Sequence, residues 1–258
     1  MNLHASGGTL LPEFLRICEA CPARHGGVCD NISVEELALL NRMAHHRRFA
    51  RGQVIFAEDE PPTFVANIIS GSVKLTRSLA DGRQQIVGLL FPPDFLGRAV
   101  GRGVPCLAEA ATEVELCCYP AEAFRALIAE HPAIERRLLE KALDELDAAR
   151  EWMVLLGRKT AREKVASFFL LLARRITRAA CPTCRPASAE VHVRLPLKRA
   201  DIADFLGLTI ETVSRQITAL RHCGVIVSER DGVFRVPDLA ALRAAAGQDD
   251  EEASAAPA

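Results

Sequence analysis

No run of about 18 uncharged apolar residues occurs in the 258-residue chain, so no membrane-spanning helix is expected. Its opening, MNLHASGGTLLPEF, lacks a basic segment followed by a long apolar one. A secretory signal is therefore not expected, and a cytoplasmic location follows. A nucleotide-binding Gly-rich loop is missing, and so is the compact C-x2-C-x2-C run of small ferredoxins. Both absences argue against a redox or electron-transfer enzyme. Net charge is almost absent as well, at −1, but that balance conceals two opposite parts. Residues 158–236 hold 15 Lys and Arg against 7 Asp and Glu, an excess of +8, while the remainder carries −9. A basic module on an acidic body is the electrostatic footprint of phosphate contact.

What is present is cysteine: nine residues, an odd number, unevenly spread. Cys18, Cys21 and Cys29 fall within the single run ICEACPARHGGVC. In a reducing compartment, clustered thiols more often bind metal or do redox work than form structural disulfides. The C-x2-C pair can place its sulfurs on neighbouring metal ions, and the seven residues between Cys21 and Cys29 are enough to wrap a third corner. An all-cysteine [4Fe–4S] cluster needs a fourth thiolate. The rival is a structural zinc site drawing on Cys18, Cys21, Cys181 and Cys184, because paired C-x2-C motifs are usual there. That arrangement leaves Cys29 without a role, and it recruits cysteines from a proline-containing loop, CPTCRPAS. Cys106, Cys118 and Cys223 read most simply as small buried hydrophobes.

The pattern along the chain predicts an α+β protein of two domains joined by a long helix. Residues 1–30 form a cysteine-bearing arm, with Gly26–Gly27 as a flexible loop. Residues 31–130 form a β-barrel domain. It starts with a helix that Ser33 caps and Glu35 and Glu36 charge (ISVEELALLNRMA). Short apolar runs broken by turn residues follow, among them RGQVIFAEDE, VANIISGSVKLTR, QQIVGLLF and TEVELCCYP. They read as antiparallel strands of a small barrel or sandwich. Residues 131–157 are the linking helix. Apolar side chains recur at Leu138, Leu139, Ala142, Leu146, Ala149, Met153 and Leu156. One apolar stripe on a helix of this length predicts a seam with a second copy of the chain, hence a homodimer. Residues 158–237 form a DNA-binding domain, and 238–258 an acidic, Ala-rich tail expected to be partly disordered.

Within that domain, KRADIADFLG and the helix opening at Thr209 make two short helices around a Gly-containing turn. On a 3.6-residue wheel Val213, Ile217 and Leu220 share the inward face, while Glu211, Ser214, Arg215 and Thr218 project outward. Arg can donate twice to guanine, Glu accepts from cytosine, and Ser serves either, so the outward set suits the major groove of double-stranded DNA. A β-hairpin turning on Asp231–Gly232 supplies a wing.

Over nearly its full length the chain resembles the CRP/FNR superfamily of bacterial transcription regulators. The order is the same: an arm, a cyclic-nucleotide-binding-like barrel with RGQVIF and ISGSVKL, a long dimer helix and a winged helix-turn-helix. The motif I-E-T-V-S-R resembles the FNR branch, in which Glu, Ser and Arg at this spacing read the half-site TTGAT. The resemblance implies that Glu211, Ser214 and Arg215 read an inverted repeat, with contact to RNA polymerase. It also implies an oxygen-labile [4Fe–4S] cofactor held by Cys18, Cys21, Cys29 and a barrel cysteine shortly before a proline. ELCCYP offers Cys117 and Cys118; aligning the proline picks Cys117, and on a strand only one of the two can face the arm. The interval from Cys21 to Cys29 is longer than in the best-known FNR pattern and is similar to FnrL-type regulators. Cyclic-nucleotide-binding members hold the phosphate with Gly-Glu and Arg-Ser pairs. Here Gly97–Arg98 and Pro105–Cys106 stand instead, so cyclic AMP is not the expected effector. Haem or another small ligand is the alternative effector. On the cluster reading, an intact cluster favours the dimer, and oxygen releases the arm and shifts the population toward monomers.

Overall fold

The structure, a computed structural model, describes residues 18–99, 103–180 and 190–248. Cys181 and Cys184 therefore lie outside the described residues, as do the first part of the arm and the end of the tail. After a tight 3-10 turn at Pro22–Arg24, helix α1 (Val34–Met43) opens at Ser33. The Ser33 hydroxyl accepts from the Glu36 N–H while the Glu36 carboxylate accepts from the Ser33 N–H. This reciprocal cap satisfies donors that the first turn otherwise leaves bare.

Eight strands follow: β1 (His45–Phe49), β2 (Val54–Phe56), β3 (Phe64–Ser70), β4 (Val73–Ser78), β5 (Gln84–Leu90), β6 (Phe95–Leu96), β7 (Leu107–Ala110) and β8 (Val114–Pro120). They make two four-stranded antiparallel sheets, ordered β1-β8-β3-β6 and β2-β7-β4-β5. The two-residue period of a strand sorts their side chains. Ala66 and Ile68 of β3, with Leu116 and Cys118 of β8, enter the dry core between the sheets. Val65, Asn67, Cys117 and Tyr119 fall on the other face, with Asn67 opposite Cys117 in the β3–β8 register.

Helix α2 (Ala121–Glu130) lays Phe124, Leu127 and Ile128 against that outer face, and Ile134 of helix α3 (Pro132–Arg158) joins them. Along α3 the sequence stripe divides in two. Leu138 and Leu156 pack on their own chain, whereas Leu139, Leu146 and Met153, together with Leu143, face water.

The C-terminal part comprises α4 (Ala161–Ala180), β9 (Val191–Arg194), α5 (Arg199–Leu206), α6 (Ile210–His222), β10 (Val227–Ser228), β11 (Val233–Val236) and α7 (Leu239–Ala245). Gly207 caps α5 in the left-handed region, at φ +60°, which lets Thr209 cap α6 two residues later. Phe168, Phe169 and Leu172 of α4 pack with Ile202, Leu206, Val213, Ile217, Leu220 and Phe234, and this core runs on into Ile86, Leu89 and Ala111 of the barrel. Trp152 of α3 stacks on Phe205 with ring centroids 4.3 Å apart. Lys74 of β4 bridges Glu109 at 3.0 Å and Asp201 at 2.9 Å. Residues 239–245, within the stretch read as tail, form α7, whose Leu242 is fully buried. Cys223 departs from its expected burial: it is exposed at the C-cap of α6, with an Arg162 guanidinium nitrogen 3.7 Å from its sulfur. The chain leaves the helix there and turns at Gly224, so the three-residue step from Leu220 no longer points inward.

Candidate functional site

Segments far apart in sequence meet on the outer face of β8. Cys18, Cys21 and Cys29 of the arm pack with Cys117, Tyr119 and Phe124 in one cluster. Cys29 is buried and the other three thiols are partly exposed. The Cys21 N–H donates to the Cys18 carbonyl and the Arg24 N–H to that of Cys21, which winds the C-x2-C pair into a turn. Gly27 lets the loop pass close by, since a Cβ there would lie 2.7 Å from the Ala23 carbonyl oxygen.

Each of the four sulfurs faces a group able to donate a hydrogen bond. Asn41 Nδ2 lies 3.7 Å from Cys18 Sγ, and Asn67 Nδ2 lies 3.6 Å from Cys29 Sγ. The backbone N–H groups of Ala23 and Arg24 face Cys21. The Cys117 thiol meets the Tyr119 hydroxyl at 3.4 Å. Such donors favour the thiolate, the metal-binding form. Cys118, one residue on, is turned the other way and gives its thiol proton to the Leu116 carbonyl.

Without a cation these thiols stay protonated. Burial pushes Cys29 up to about 12; the Tyr119 hydrogen bond pulls it down, and charge at Cys117, Cys21 and Cys18 pushes it up further. Burial also raises Cys117, to about 11, with Cys21 and Cys18 again adding to the rise. Cys18 and Cys21 are raised as well, burial being the main cause for both. Each thiol therefore bears on the others. Among the described residues, no three His, Cys, Asp or Glu side chains converge tightly enough to grip a single metal ion.

The cysteine loop is tied to the start of α3. Arg137 donates from Nε to the Gly27 carbonyl and from Nη2 to the Asp30 carboxylate, both at 3.0 Å. Asp30 also accepts from the Gly26 N–H, and Arg24 closes the loop by donating to the Cys29 carbonyl at 2.7 Å. Sequence reasoning singled out the thiols, which the fold brings together, but not Asn41, Asn67, Tyr119 or Arg137, which lie beside them or their loop. Faint signals existed: Asn67 is the amide in the apolar run FVANIIS, and Tyr119, directly after the Cys117–Cys118 pair, is the chain's single tyrosine.

A second surface lies on α6. The Thr209 hydroxyl caps the helix by accepting from the Thr212 N–H at 3.2 Å. Val213, Ile217 and Leu220 are buried beneath it, while Glu211, Ser214, Arg215 and Thr218 are all exposed. The backbone N–H of Glu211 and the Thr209 hydroxyl hold the Glu211 carboxyl below its usual range. At neutral pH this face therefore offers a pure acceptor, a hydroxyl and a guanidinium side by side. In the barrel, Arg98 is exposed, and Cys106 is buried in the core where a phosphate-binding pair would stand.

Residues 46–131 match the model of the cyclic nucleotide-binding domain, and residues 163–245 that of the Crp-like helix-turn-helix domain. The transcriptional activator protein FnrL of Cereibacter sphaeroides is 43% identical over 251 residues, covering 97% of this chain and 98% of that protein. A probable transcriptional activator of Rhizobium leguminosarum bv. viciae is 49% identical over 222 residues, or 86% of this chain and 90% of that one. Among solved structures, FixK2 from Bradyrhizobium japonicum is similar at a TM-score of 0.68 and 30% identity, over 83% of this chain and 99% of that chain. The curated relatives are transcription regulators rather than enzymes. A barrel, a long helix and a winged helix-turn-helix in this order, with identity of this extent along the whole length, make the chain a member of the Crp/Fnr family of DNA-binding transcription regulators.

Proposed function

We propose that this protein is an oxygen-responsive transcription activator in which Cys18, Cys21, Cys29 and Cys117 hold a [4Fe–4S] cluster. As a homodimer in contact with RNA polymerase, it reads an inverted repeat of TTGAT-like half-sites through Glu211, Ser214 and Arg215. The observation that carries the reading is the meeting of three arm thiols with Cys117, each sulfur facing a donor. An all-sulfur set suits iron–sulfur chemistry or zinc. Zinc bonds of about 2.3 Å in a tetrahedron draw the sulfurs to roughly 3.8 Å from one another. When bound, the cluster supplies an oxidation-sensitive tie between arm and barrel.

The chain's own residues do the rest. With the loop held, the Gly27 carbonyl and the Asp30 carboxylate fix Arg137, and with it the first turns of α3. Leu139, Leu143, Leu146 and Met153 then present a continuous apolar seam to a second copy. A dimer engages both half-sites; a monomer engages one, with about half the salt-sensitive phosphate contacts. Exposed Arg98 and buried Cys106 support an effector other than a cyclic nucleotide.

Protein purified without oxygen is expected to carry about four irons per chain and to bind the inverted repeat as a dimer. Air should bleach its visible absorption, yield monomers and abolish tight binding. A colourless, zinc-only protein that binds the repeat equally well in air overturns the reading.

A further inference from the structure

We infer that Asn67 and Tyr119 form a buried hydrogen-bond relay that sets how firmly the cysteine site holds its cluster and at what potential it works. This rests on the four-cysteine reading above. Asn67 is 0% exposed, in the middle of a strand whose neighbours Val65, Ala66 and Ile68 are equally buried. Its Oδ1 has no hydrogen-bond partner among the described residues. A buried amide oxygen left bare is a standing cost that an aliphatic residue of similar size would avoid. The amide nitrogen is where its value lies. One N–H is aimed at Cys29 Sγ, at 3.6 Å, and the other at the Tyr119 oxygen, at 3.1 Å.

Donor arithmetic then fixes the relay. A phenol has one proton, and with Asn67 donating to its oxygen, Tyr119 has that proton free for a sulfur. Cys117 is the nearer, at 3.4 Å, against 3.8 Å for Cys29. In the metal-free site the Cys117 thiol donates to the hydroxyl. A metal-bound thiolate has no proton to give, so the bond reverses and Tyr119 becomes the donor. Asn67 and Tyr119 thus serve the last cysteine of the arm and the barrel cysteine together. The support is rigid: Asn67 is the direct partner of Cys117 across two strands, and the Tyr119 ring packs against Phe124 at 5.4 Å between centroids. Both are positioning residues, acting through the sulfurs. Donors to ligand sulfur spread its negative charge, which favours the reduced cluster and slows loss of metal.

The test compares full-length wild type, Tyr119→Phe, Asn67→Leu and the double variant, all reconstituted anaerobically with iron and sulfide. Each should take up about four irons per chain, with shifted visible absorption bands and a lower reduction potential. Iron should pass to a chelator under nitrogen about tenfold faster or more. The double variant should be worse than either single, because Asn67 donates to Cys29 and Tyr119 to Cys117, and it should fall short of the sum because Asn67 also holds the Tyr119 oxygen. Tyr119→Phe keeps the ring and Asn67→Leu keeps the branch at Cγ, so one of them serves if the other fails to fold. Loaded variants with wild-type spectra, potential and release rate overturn the relay while the cluster reading stands. A wild type that takes up no cluster brings down both.

Discussion

The recognition helix and the thiol seam are built on opposite plans. Everything α6 presents lies between Glu211 and Thr218, and the residues that anchor it, Val213, Ile217 and Leu220, lie on the same thirteen-residue helix. Its polar groups stand in water and carry no burial cost. The seam instead draws on the arm, on Asn41 of α1, Asn67 of β3, Cys117 and Tyr119 of β8, and Arg137 of α3. It places thiols and an amide where water is largely excluded, which is expensive unless each finds a partner. A contiguous surface of the first kind can be damaged only one contact at a time. An assembled one holds distant segments together through a few shared groups, so losing its thiol contacts would release several segments at once, which is what a switch requires.

The largest test of that contrast is Cys117→Ala, expected to abolish iron and sulfide content, against Cys118→Ala, which should retain the cluster and cost about 1 kcal/mol of stability. Retention in the first and loss in the second would reverse the assignment. Next comes Leu143→Glu on the exposed face of α3. Sedimentation should show monomers, and affinity for a two-half-site operator should fall by roughly 10²- to 10⁴-fold, the usual gain from bivalent engagement. Single half-site binding should be untouched. Arg137→Ala should leave the cluster spectrum intact while erasing the dependence of dimerisation on air, a coupling expected to be worth about 5- to 150-fold. Normal coupling in that variant would remove Arg137 from the path. The smallest effect belongs to the contiguous surface: Arg215→Ala should cost about 1–3 kcal/mol at one base position, measured on a panel of mutated operators. An equal loss on every sequence would make it a phosphate contact.

The same contrast explains what could be read from the chain alone. Ser33 and Thr209 are visible as caps because capping is local, and both hydroxyls do accept from the backbone as their positions suggest. The inward and outward residues of α6 follow from helix period, and the opposed directions of Cys117 and Cys118 follow from strand period. Nothing local marks Asn67 or Asn41 as neighbours of sulfur, since pairing across sheets and helices brings them there. Arg137 looks like any helix-surface cation until the loop beneath it is seen. The stripe on α3 shows the same limit: periodicity gathers Leu138 with Leu139, but only packing decides which one the chain itself covers. Leu239–Ala245 was hidden by composition, its alanines resembling a low-complexity tail until Leu242 found the core.

Ile86, Leu89 and Ala111 of the barrel share one continuous apolar interior with α4 through α7, fastened by the Trp152–Phe205 stack and by Lys74 between Glu109 and Asp201. The modules that sequence separates are therefore not separate melting units. Heat should take the sensor and the DNA reader down in one cooperative step, and neither half cut free should match its stability within the whole.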